Sequence, residues 1–455
     1  MRTISRTIGV SLAAATLLVG FAGCGNNPGS GGSDDKGSVY FLNFKPEIAD
    51  KYQTIIDEYK KQTGVEVKIT TAASGTYEQT LTSEIAKSEP PTIFQINGPV
   101  GYSNWKDYTA DLTDSDLYKH LNDQSMAVST SDGVWGVPYV VEGYGIIYND
   151  AIMKKYFALT DKKVSITSAD QITSWSLLDQ VVTDMTAHKE ALGITGVFSS
   201  TSLKPGEDWR WQTHLADVPL FYEFNQDKVD LTKGTPASIK FTYGDKMKNL
   251  FDLYLNNSTT APTELGSKTV DDSMAEFALG QSAMVQNGNW GWSQIAAATG
   301  NTVKADDVHM LPLYMGISGE EKYGIPIGTE NYFSINSKVS EASQKASLDF
   351  LTWLFSSDYG KKAVASSLGF IAPFDWFSTT DTPDDPLAKE VMTWMSDKDI
   401  KSVSWSPFQV MPSQDWKDGF GADLLSYAQG QMDWPTVEKT VVDDWAAQAK
   451  AAGGK

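Results

Sequence analysis

The sequence predicts an α/β fold divided into two lobes, and three observations indicate it. Short apolar strands alternate with amphipathic helices from residue 38 onward, as is typical of α/β proteins. Residues 38–70 have a strand–helix–strand order, which predicts a parallel, open sheet. About 420 residues follow the N-terminal segment, more than one hydrophobic core usually holds, so two lobes are expected.

The first elements have clear periodicities. Residues 38–44 (SVYFLNF) predict a buried strand, and residues 48–62 (IADKYQTIIDEYKKQ) place apolar side chains at helical spacing. Residues 65–70 (VEVKIT) alternate as a second strand. A second helix is predicted from residue 76 to about 87, and residues 92–97 (TIFQIN) predict the next strand.

Residues 135–149 (WGVPYVVEGYGIIYN) form a long extended apolar run broken by one proline and several glycines. Such a segment is expected to cross from one lobe to the other. Residues 331–336 (NYFSIN) are again extended. Further helices are predicted at 275–281, 343–355, 423–430 and 435–450, and a further strand at 282–288.

Residues 1–23 have the features of a secretory signal. Arg2 and Arg6 precede an uncharged apolar run that is shorter than the roughly 20 residues of a transmembrane helix. The run ends at the chain's single cysteine, and residues 21–24 (FAGC) resemble the lipobox of bacterial lipoproteins. We therefore expect a lipid on Cys24 and a flexible polar tether over residues 24–37. The alternative is an ordinary signal that happens to end in cysteine.

Composition limits the partners of the exported chain. Loss of residues 1–23 removes two arginines and no acid, which leaves 35 basic and 57 acidic residues and a net charge of −22. Nucleic acid and anionic lipid are therefore not expected as partners. A single cysteine allows neither an internal disulfide nor a multi-cysteine zinc site. The 14 Trp, 19 Tyr and 19 Phe supply many flat rings.

Four motifs follow the lipobox in order: GVPYVVEGYGIIYN, FALGQSAMVQNGNW, ENYFSINSK and KASLDFLTWLFSSDYGKK. In this order the chain resembles the extracellular solute-binding proteins of carbohydrate ABC importers, the family with maltose- and raffinose-type binding proteins. The resemblance implies a periplasmic-binding-protein-like fold with strands crossing a hinge and discontinuous lobes. Lobe one would comprise residues 38–141 and 333–372, and lobe two residues 142–332 and 373–455.

The candidate binding residues are polar or aromatic side chains at predicted strand ends. A sugar offers apolar faces and a rim of hydroxyls, so its binder needs flat rings and forked polar groups. Asn43, Lys45 and Asn97 follow strands whose carboxyl ends are where ligands bind in open α/β sheets. Glu142 is an acid in an apolar run and needs a partner. For Lys45 the alternative is that the side chain extends its ammonium group to solvent. For Glu142 the alternative is a structural salt bridge.

Two tryptophans flank a cation in GEDWRWQTHL. Trp209 and Trp211 surround Arg210, and such a group either lines a pocket or locks a lobe through cation–π contacts. The interpretation preferred here is the pocket.

A second aromatic candidate follows a predicted strand end. Asn289 and Trp290 lie where the resembled family commonly places a sugar-stacking tryptophan, with core packing as the alternative for the ring. Glu330 and Asn331 precede the second extended segment, from which they could reach the cleft.

The sequence therefore predicts a lipid-anchored receptor on the extracellular face of the bacterial cytoplasmic membrane. Its expected partners are a di- or trisaccharide and the permease subunits of an ABC importer, and it is expected to be a monomer that contacts the membrane only through its lipid. We predict no catalytic residue, cofactor or metal, because nucleophile-elbow, phosphate-loop and H-E-x-x-H motifs are absent from the sequence. The alternatives are an exported glycoside hydrolase and a binding protein for a non-sugar solute.

Overall fold

The computed structural model describes residues 37–73 and 75–451, so the predicted signal, Cys24 and most of the tether lie outside it. The strands of the described residues are β1 (Val39–Asn43), β2 (Val67–Thr71), β3 (Ile93–Ile96), β4 (Val128–Thr130), β5 (Gly133–Pro138), β6 (Glu142–Asn149), β7 (Gly196–Phe198), β8 (Ser282–Gly288), β9 (Val308–Leu311), β10 (Tyr323–Gly328), β11 (Tyr332–Ile335) and β12 (Lys401–Ser404).

The strands alternate with helices, as the hydrophobic pattern predicts. The α-helices of the described residues are α1 (Tyr52–Thr63), α2 (Tyr77–Ile85), α3 (Gly98–Trp105), α4 (Asp116–Lys119), α5 (Asp150–Phe157), α6 (Trp175–Ala187), α7 (Lys189–Leu192), α8 (Ala216–Asp227), α9 (Gly244–Asn256), α10 (Val270–Ala278), α11 (Gly291–Ala297), α12 (Glu341–Ser356), α13 (Asp358–Lys362), α14 (Pro386–Ser396), α15 (Gln414–Ala428) and α16 (Trp434–Ala451). Among these helices, none combines the length and the apolar character needed to cross a membrane.

The first sheet has the strand order β2-β1-β3-β11-β5-β4. Its β2, β1 and β3 strands are parallel, which confirms the strand–helix–strand prediction for residues 38–70. The remaining pairs are antiparallel, so the expected parallel sheet is in fact mixed. The reason is topological: β4 and β5 form a hairpin, which requires antiparallel pairing, and β11 arrives from a distant part of the chain.

The second sheet has the order β12-β10-β6-β8-β7, and β9 also pairs with β6. It is mixed too, with parallel β10–β12 and β7–β8 pairs and antiparallel β6–β8 and β6–β10 pairs. All eight residues of β6 are buried, because strands flank it and helices cover it. This explains why the segment has no alternation of polar and apolar residues.

The described chain passes between the two sheets at three places. Residues 139–141 join β5 to β6, and residues 329–331 join β10 to β11. The third passage follows residues 371–375. Ile371 forms a bridge with Val141 and accepts a hydrogen bond of 2.8 Å from the Val141 N–H, and Phe374 forms a bridge with Leu121 of the half of the molecule built on the first sheet (the first half). The predicted crossing at residues 135–149 is therefore built from two strands of different sheets.

Each sheet packs into its own hydrophobic clusters, of which the described residues form four. On the first sheet, α1 contributes Tyr52 and Tyr59, and α12 contributes Phe350 and Phe355. Helix α1 ends where Gly64 adopts the left-handed conformation that glycine favours (φ 75°). The half of the molecule built on the second sheet (the second half) has the largest cluster, which gathers α5, α6, α8, α9, α15 and α16. A further cluster packs α10 and α14 on this sheet, and another packs α2 and α3 on the first sheet. Separate clusters on the two sheets are what a two-lobed protein requires.

Candidate functional site

A cavity of about 180 Å³ lies between the two halves, at the carboxyl ends of β1 and β3. This is where ligands bind in open α/β sheets. Both halves and one of the passages between the sheets line it. The lining residues of the described chain are Phe44, Lys45, Pro46, Glu47, Ala73, Gly75, Tyr77, Glu78, Gln79, Asn97, Gly206, Asp208, Trp209, Gln212, Thr213, Trp290, Glu330, Asn331, Phe408, Gln414, Lys417 and Asp418.

Lys45 is held in place by Asn43, the last residue of β1. The Asn43 amide donates to the Lys45 carbonyl oxygen (2.8 Å) and to Thr71 Oγ1 (3.1 Å), and its Oδ1 accepts from the Lys45 N–H (3.2 Å). Asn43 is fully buried and does not line the cavity. It therefore positions the turn that carries Lys45.

A buried salt bridge joins the two halves beside the cavity. Lys45 Nζ donates to Glu142 Oε1 at 2.8 Å and to Glu47 Oε1 at 3.2 Å, and Lys45 and Glu142 are 4% and 2% exposed. Burial acts to lower the pKa of Lys45, but the Glu142 and Glu47 carboxylates outweigh it, so the net pKa is raised. Burial raises the pKa of Glu142, and Lys45 partly offsets this. Glu142 itself lies behind the lining residues.

Two tryptophan rings form the aromatic part of the cavity. The Trp209 and Trp290 ring centroids are 6.0 Å apart, with the planes inclined by 48°. Lys45 Nζ lies 5.4 Å from the Trp290 centroid, within cation–π range. Trp290 lies two residues after the end of β8, and its ring covers Gly288, where a Cβ would overlap it. Both rings are partly exposed to the cavity.

Trp211 does not line the cavity. It lies in the core of the second half, fully buried, with its Nε1 donating to the Thr201 carbonyl oxygen and its ring edge-to-face with Tyr254 at 4.6 Å. A short π-helix spans Arg210–Leu215; Trp209 lies just before it and Trp211 lies within it. Residues two apart on a helix point to different sides. Only the first tryptophan of the pair reaches the cavity.

Asn289 lies behind the cavity as well. Its Oδ1 accepts from the Gly143 N–H at 2.9 Å, and its own N–H donates to the Gly143 carbonyl oxygen at 3.0 Å. This two-way contact ties the end of β8 to β6. Asn289 thereby holds Trp290 in place.

The other predicted residues line the cavity. Asn97 precedes α3 without capping it through its side chain. Glu330 and Asn331 lie in the passage between β10 and β11, and Asn331 is 3% exposed. Together with Lys45, Trp209 and Trp290, these residues bring candidates from distant parts of the sequence into one site.

The profile of a bacterial extracellular solute-binding protein family matches residues 54–393. The chain belongs to this family. Among curated protein sequences, none matches it significantly.

Solved structures with the same two-lobed fold include three sugar-binding proteins. The chain is similar to a chitin oligosaccharide binding protein (TM-score 0.68, 18% identity, 92% of this chain and 100% of that one). It is also similar to the solute-binding protein RafE in complex with raffinose (0.67, 15%, 90% and 99%) and to maltose-bound MalE3 of T. maritima (0.65, 15%, 90% and 98%). At these identities the likeness establishes the fold.

Burial brings the pKa values of two acids in this solute-binding site closer to neutral pH. Burial raises the pKa of Glu330 to about 7, against the attraction of Lys45 and Lys417. Burial raises the pKa of Asp208 to about 6, and burial lowers that of Lys417. A carboxylic acid near its pKa both donates and accepts hydrogen bonds, as sugar hydroxyls do.

Several lining residues of the solute-binding site were not predicted. Gln212 is 2% exposed, and its Oε1 makes no hydrogen bond within the described residues. Its position three residues after Trp209, on one helical face, is a signal that could have identified it. Glu78 and Lys417 gave no such signal, because they lie on α2 and α15 and meet the others only through tertiary packing.

Proposed function

We propose that this protein is a lipid-anchored receptor that captures a di- or trisaccharide between its lobes and delivers it to the permease of an ABC importer. The observation that carries the proposal is the pairing of Trp209 and Trp290 with buried polar side chains in a cavity between the halves. Flat rings suit the apolar faces of a sugar, and the polar groups suit its hydroxyls.

The buried polar groups supply selectivity. Gln212 and Asn331 are at least nine-tenths buried, so a ligand that leaves either one unpaired forfeits about 1–3 kcal/mol. Micromolar affinity corresponds to about −8 kcal/mol. Two stacking contacts and several hydrogen bonds supply a binding free energy of this size after the entropy cost of ordering the ligand and side chains is subtracted.

The binding cycle follows from the lobes. We assign residues 38–141 and 333–372 to lobe one and residues 142–332 and 373–455 to lobe two, except that residues 373–375 stay with lobe one, because Phe374 packs in the first core and bridges Leu121. A ligand closes the lobes only as far as it binds the closed form more tightly than the open one. The permease recognises the closed form, and no covalent bond is made or broken.

Isothermal titration calorimetry with defined di- and trisaccharides tests this function. We expect heat and saturation with at least one sugar, scattering that becomes more compact on binding, and no new reducing ends after prolonged incubation. New reducing ends would indicate a glycoside hydrolase. Absence of binding across the panel, together with binding of another solute class, would indicate a non-sugar receptor.

The anchor rests on the lipobox-like residues 21–24. A diacylglycerol on Cys24 would hold the monomeric receptor at the extracellular face of the cytoplasmic membrane, near the permease. Cys24→Ala is expected to move the protein from the membrane fraction to the medium, with unchanged sugar affinity. Retention of this variant at the membrane would contradict the anchor.

A further inference from the structure

A second cavity, of about 640 Å³, adjoins the first. Three segments of the chain contribute neighbouring residues to both cavities. Residues 97, 330–331 and 408 line the first cavity, and residues 99, 332 and 409–410 line the second. The two cavities are therefore compartments of one cleft.

A thin partition of Gly98, Tyr332 and Gln409 separates the compartments. The Gln409 amide donates to the Thr329 carbonyl oxygen at 2.9 Å and to the Tyr332 hydroxyl at 2.5 Å. Gly98 has a left-handed conformation (φ 57°), and a Cβ there would lie 2.9 Å from Gln409 Cβ. The backbone of one half thus meets a side chain of the other, and the movable part of the partition is the Gln409 amide.

The volume of the first cavity is close to that of one ring. A closed cavity of about 150 Å³ accommodates a single benzene ring, so about 180 Å³ is of the size of one sugar ring. A di- or trisaccharide needs further space. The second compartment is more than three times larger.

The lining of the second compartment combines hydroxyl side chains with two cations. The hydroxyls include Ser103, Ser129 and Thr130, the cations are Lys106 and Lys233, and no carboxylate belongs to the lining within the described chain. Tyr102 contributes a ring, which is stacked on Trp135 at 5.3 Å with a 13° inclination. Hydroxyls that donate and accept, beside a flat ring held in place, are the groups that a sugar unit requires.

We propose that the second compartment binds the additional units of an oligosaccharide, and that the Gln409 amide is a gate displaced by ligands longer than the first compartment holds. This inference rests on the proposed function. It predicts that Tyr102 and Gln409 affect long ligands differently from short ones, whereas Trp290 affects both.

The test measures affinity against chain length. Ladders of malto-, xylo- and chito-oligosaccharides of one to six units are titrated into the wild type, and the ladder that binds is repeated with the variants. Tyr102→Ala is expected to weaken the longer ligands by about threefold to tenfold and to leave the shortest unchanged. Tyr102→Phe keeps the ring and should retain the long-ligand affinity.

The gate has its own variant. Gln409→Ala removes both hydrogen bonds of the amide, so the ratio of long-ligand to short-ligand affinity should rise by about threefold or more. The exposed Gln431→Ala is the matched control and should leave the ratio unchanged.

The outcomes separate the two proposals. If the wild type binds a ladder but neither Tyr102→Ala nor Gln409→Ala changes the length ratio, the second compartment is not a saccharide site. If the wild type binds no saccharide of any length, the proposed function itself is overturned, and this inference with it.

Discussion

At the residue scale, the site depends on one buried cation. Lys45 is surrounded by Glu47 and Glu142, and its charge also acts on Glu330. Removing one partner of a buried pair leaves an uncompensated charge, which costs far more than removing both. Lys45 therefore contributes to the stability of the junction between the halves as well as to the wall of the cavity.

Lys45→Met is expected to lower the free energy of unfolding by about 3–5 kcal/mol, because Glu142 is left buried without its partner. The double variant Lys45→Met/Glu142→Gln should recover a large part of this loss. Urea unfolding at pH 7 measures both. Lys51→Met, which removes an exposed ion pair with Asp50, is the control and should cost about 0–1 kcal/mol. Equal losses in the single and double variants would contradict the coupling.

Trp290→Ala is expected to weaken sugar binding by about threefold to tenfold, because one stacking face is lost. Calorimetry measures the change, and circular dichroism checks that the fold is retained. Trp292→Ala is the matched control, since Trp292 lies on the following helix and does not line the cavity. Unchanged affinity in Trp290→Ala would remove this ring from the site.

At the scale of elements, strand ends and short helices place the functional side chains. Strand β1 ends in Asn43, which shapes the turn of Lys45. Strand β8 ends in Gly288, and Gly288 and the following Asn289 seat the Trp290 ring. In both places an asparagine that does not line the cavity positions a neighbour that does. The π-helix at Arg210–Leu215 directs neighbouring residues to opposite environments.

Gly288→Ala is expected to displace the Trp290 ring, because the added Cβ would overlap it. We expect lower sugar affinity and a loss of stability of about 1–3 kcal/mol from overpacking. Gly419→Ala on α15 is the control: the nearest atom to its new Cβ is 4.0 Å away, and alanine favours the helix. Calorimetry measures the sugar affinity and urea unfolding measures the stability of each variant. Wild-type affinity and stability in Gly288→Ala would show that the Trp290 ring can move aside without cost.

At the scale of the whole molecule, two sheets with separate cores meet along three passages of chain. Glu330 lies in one of these passages, where burial raises its pKa from the ordinary 4.5 to about 7. A buried acid of this kind favours the protonated folded state. Its contribution to stability is complete below pH 4.5 and is lost as the pH rises through 7.

The free energy of unfolding is therefore expected to fall between pH 5 and pH 8, in part because of Glu330. One pKa unit corresponds to about 1.4 kcal/mol, and the partial exposure of the side chain reduces the effect to the order of 1–3 kcal/mol. Glu330→Gln should remove this part of the decrease, whereas the exposed Glu321→Gln should not. Urea unfolding of the ligand-free protein at the two pH values measures the difference; an unchanged decrease in Glu330→Gln would contradict the assignment.

Much of the secondary structure was predictable, because local hydrophobic periodicity reports the environment of each element. Residues 343–355 were predicted as a helix and lie within α12, and residues 282–288 coincide with β8. Mixed pairing in the sheets was not predictable from the strand–helix–strand order, because β11 joins the first sheet only after the chain has built most of the second.

The candidate site was predictable in part for the same reason. Lys45, Asn97 and Trp290 follow strands, and local sequence marks strand ends. Sequence could not decide between Trp209 and Trp211, because the choice depends on which side of the π-helix faces the core. No local sequence pattern identifies Lys417 as a site residue, because it reaches the cavity from a helix more than 80 residues beyond the nearest predicted site residue.

The sequence by itself determined the alternation of strands and helices, the likeness to solute-binding proteins and the residue types at strand ends, because these depend on neighbours along the chain. Only the tertiary structure decided which polar groups share the cavity, that Asn43 and Asn289 support the site from behind, and that Gln409 divides the cleft. The physical reason is that burial, charge pairing and cavity shape arise between segments hundreds of residues apart, where no local periodicity records the contact.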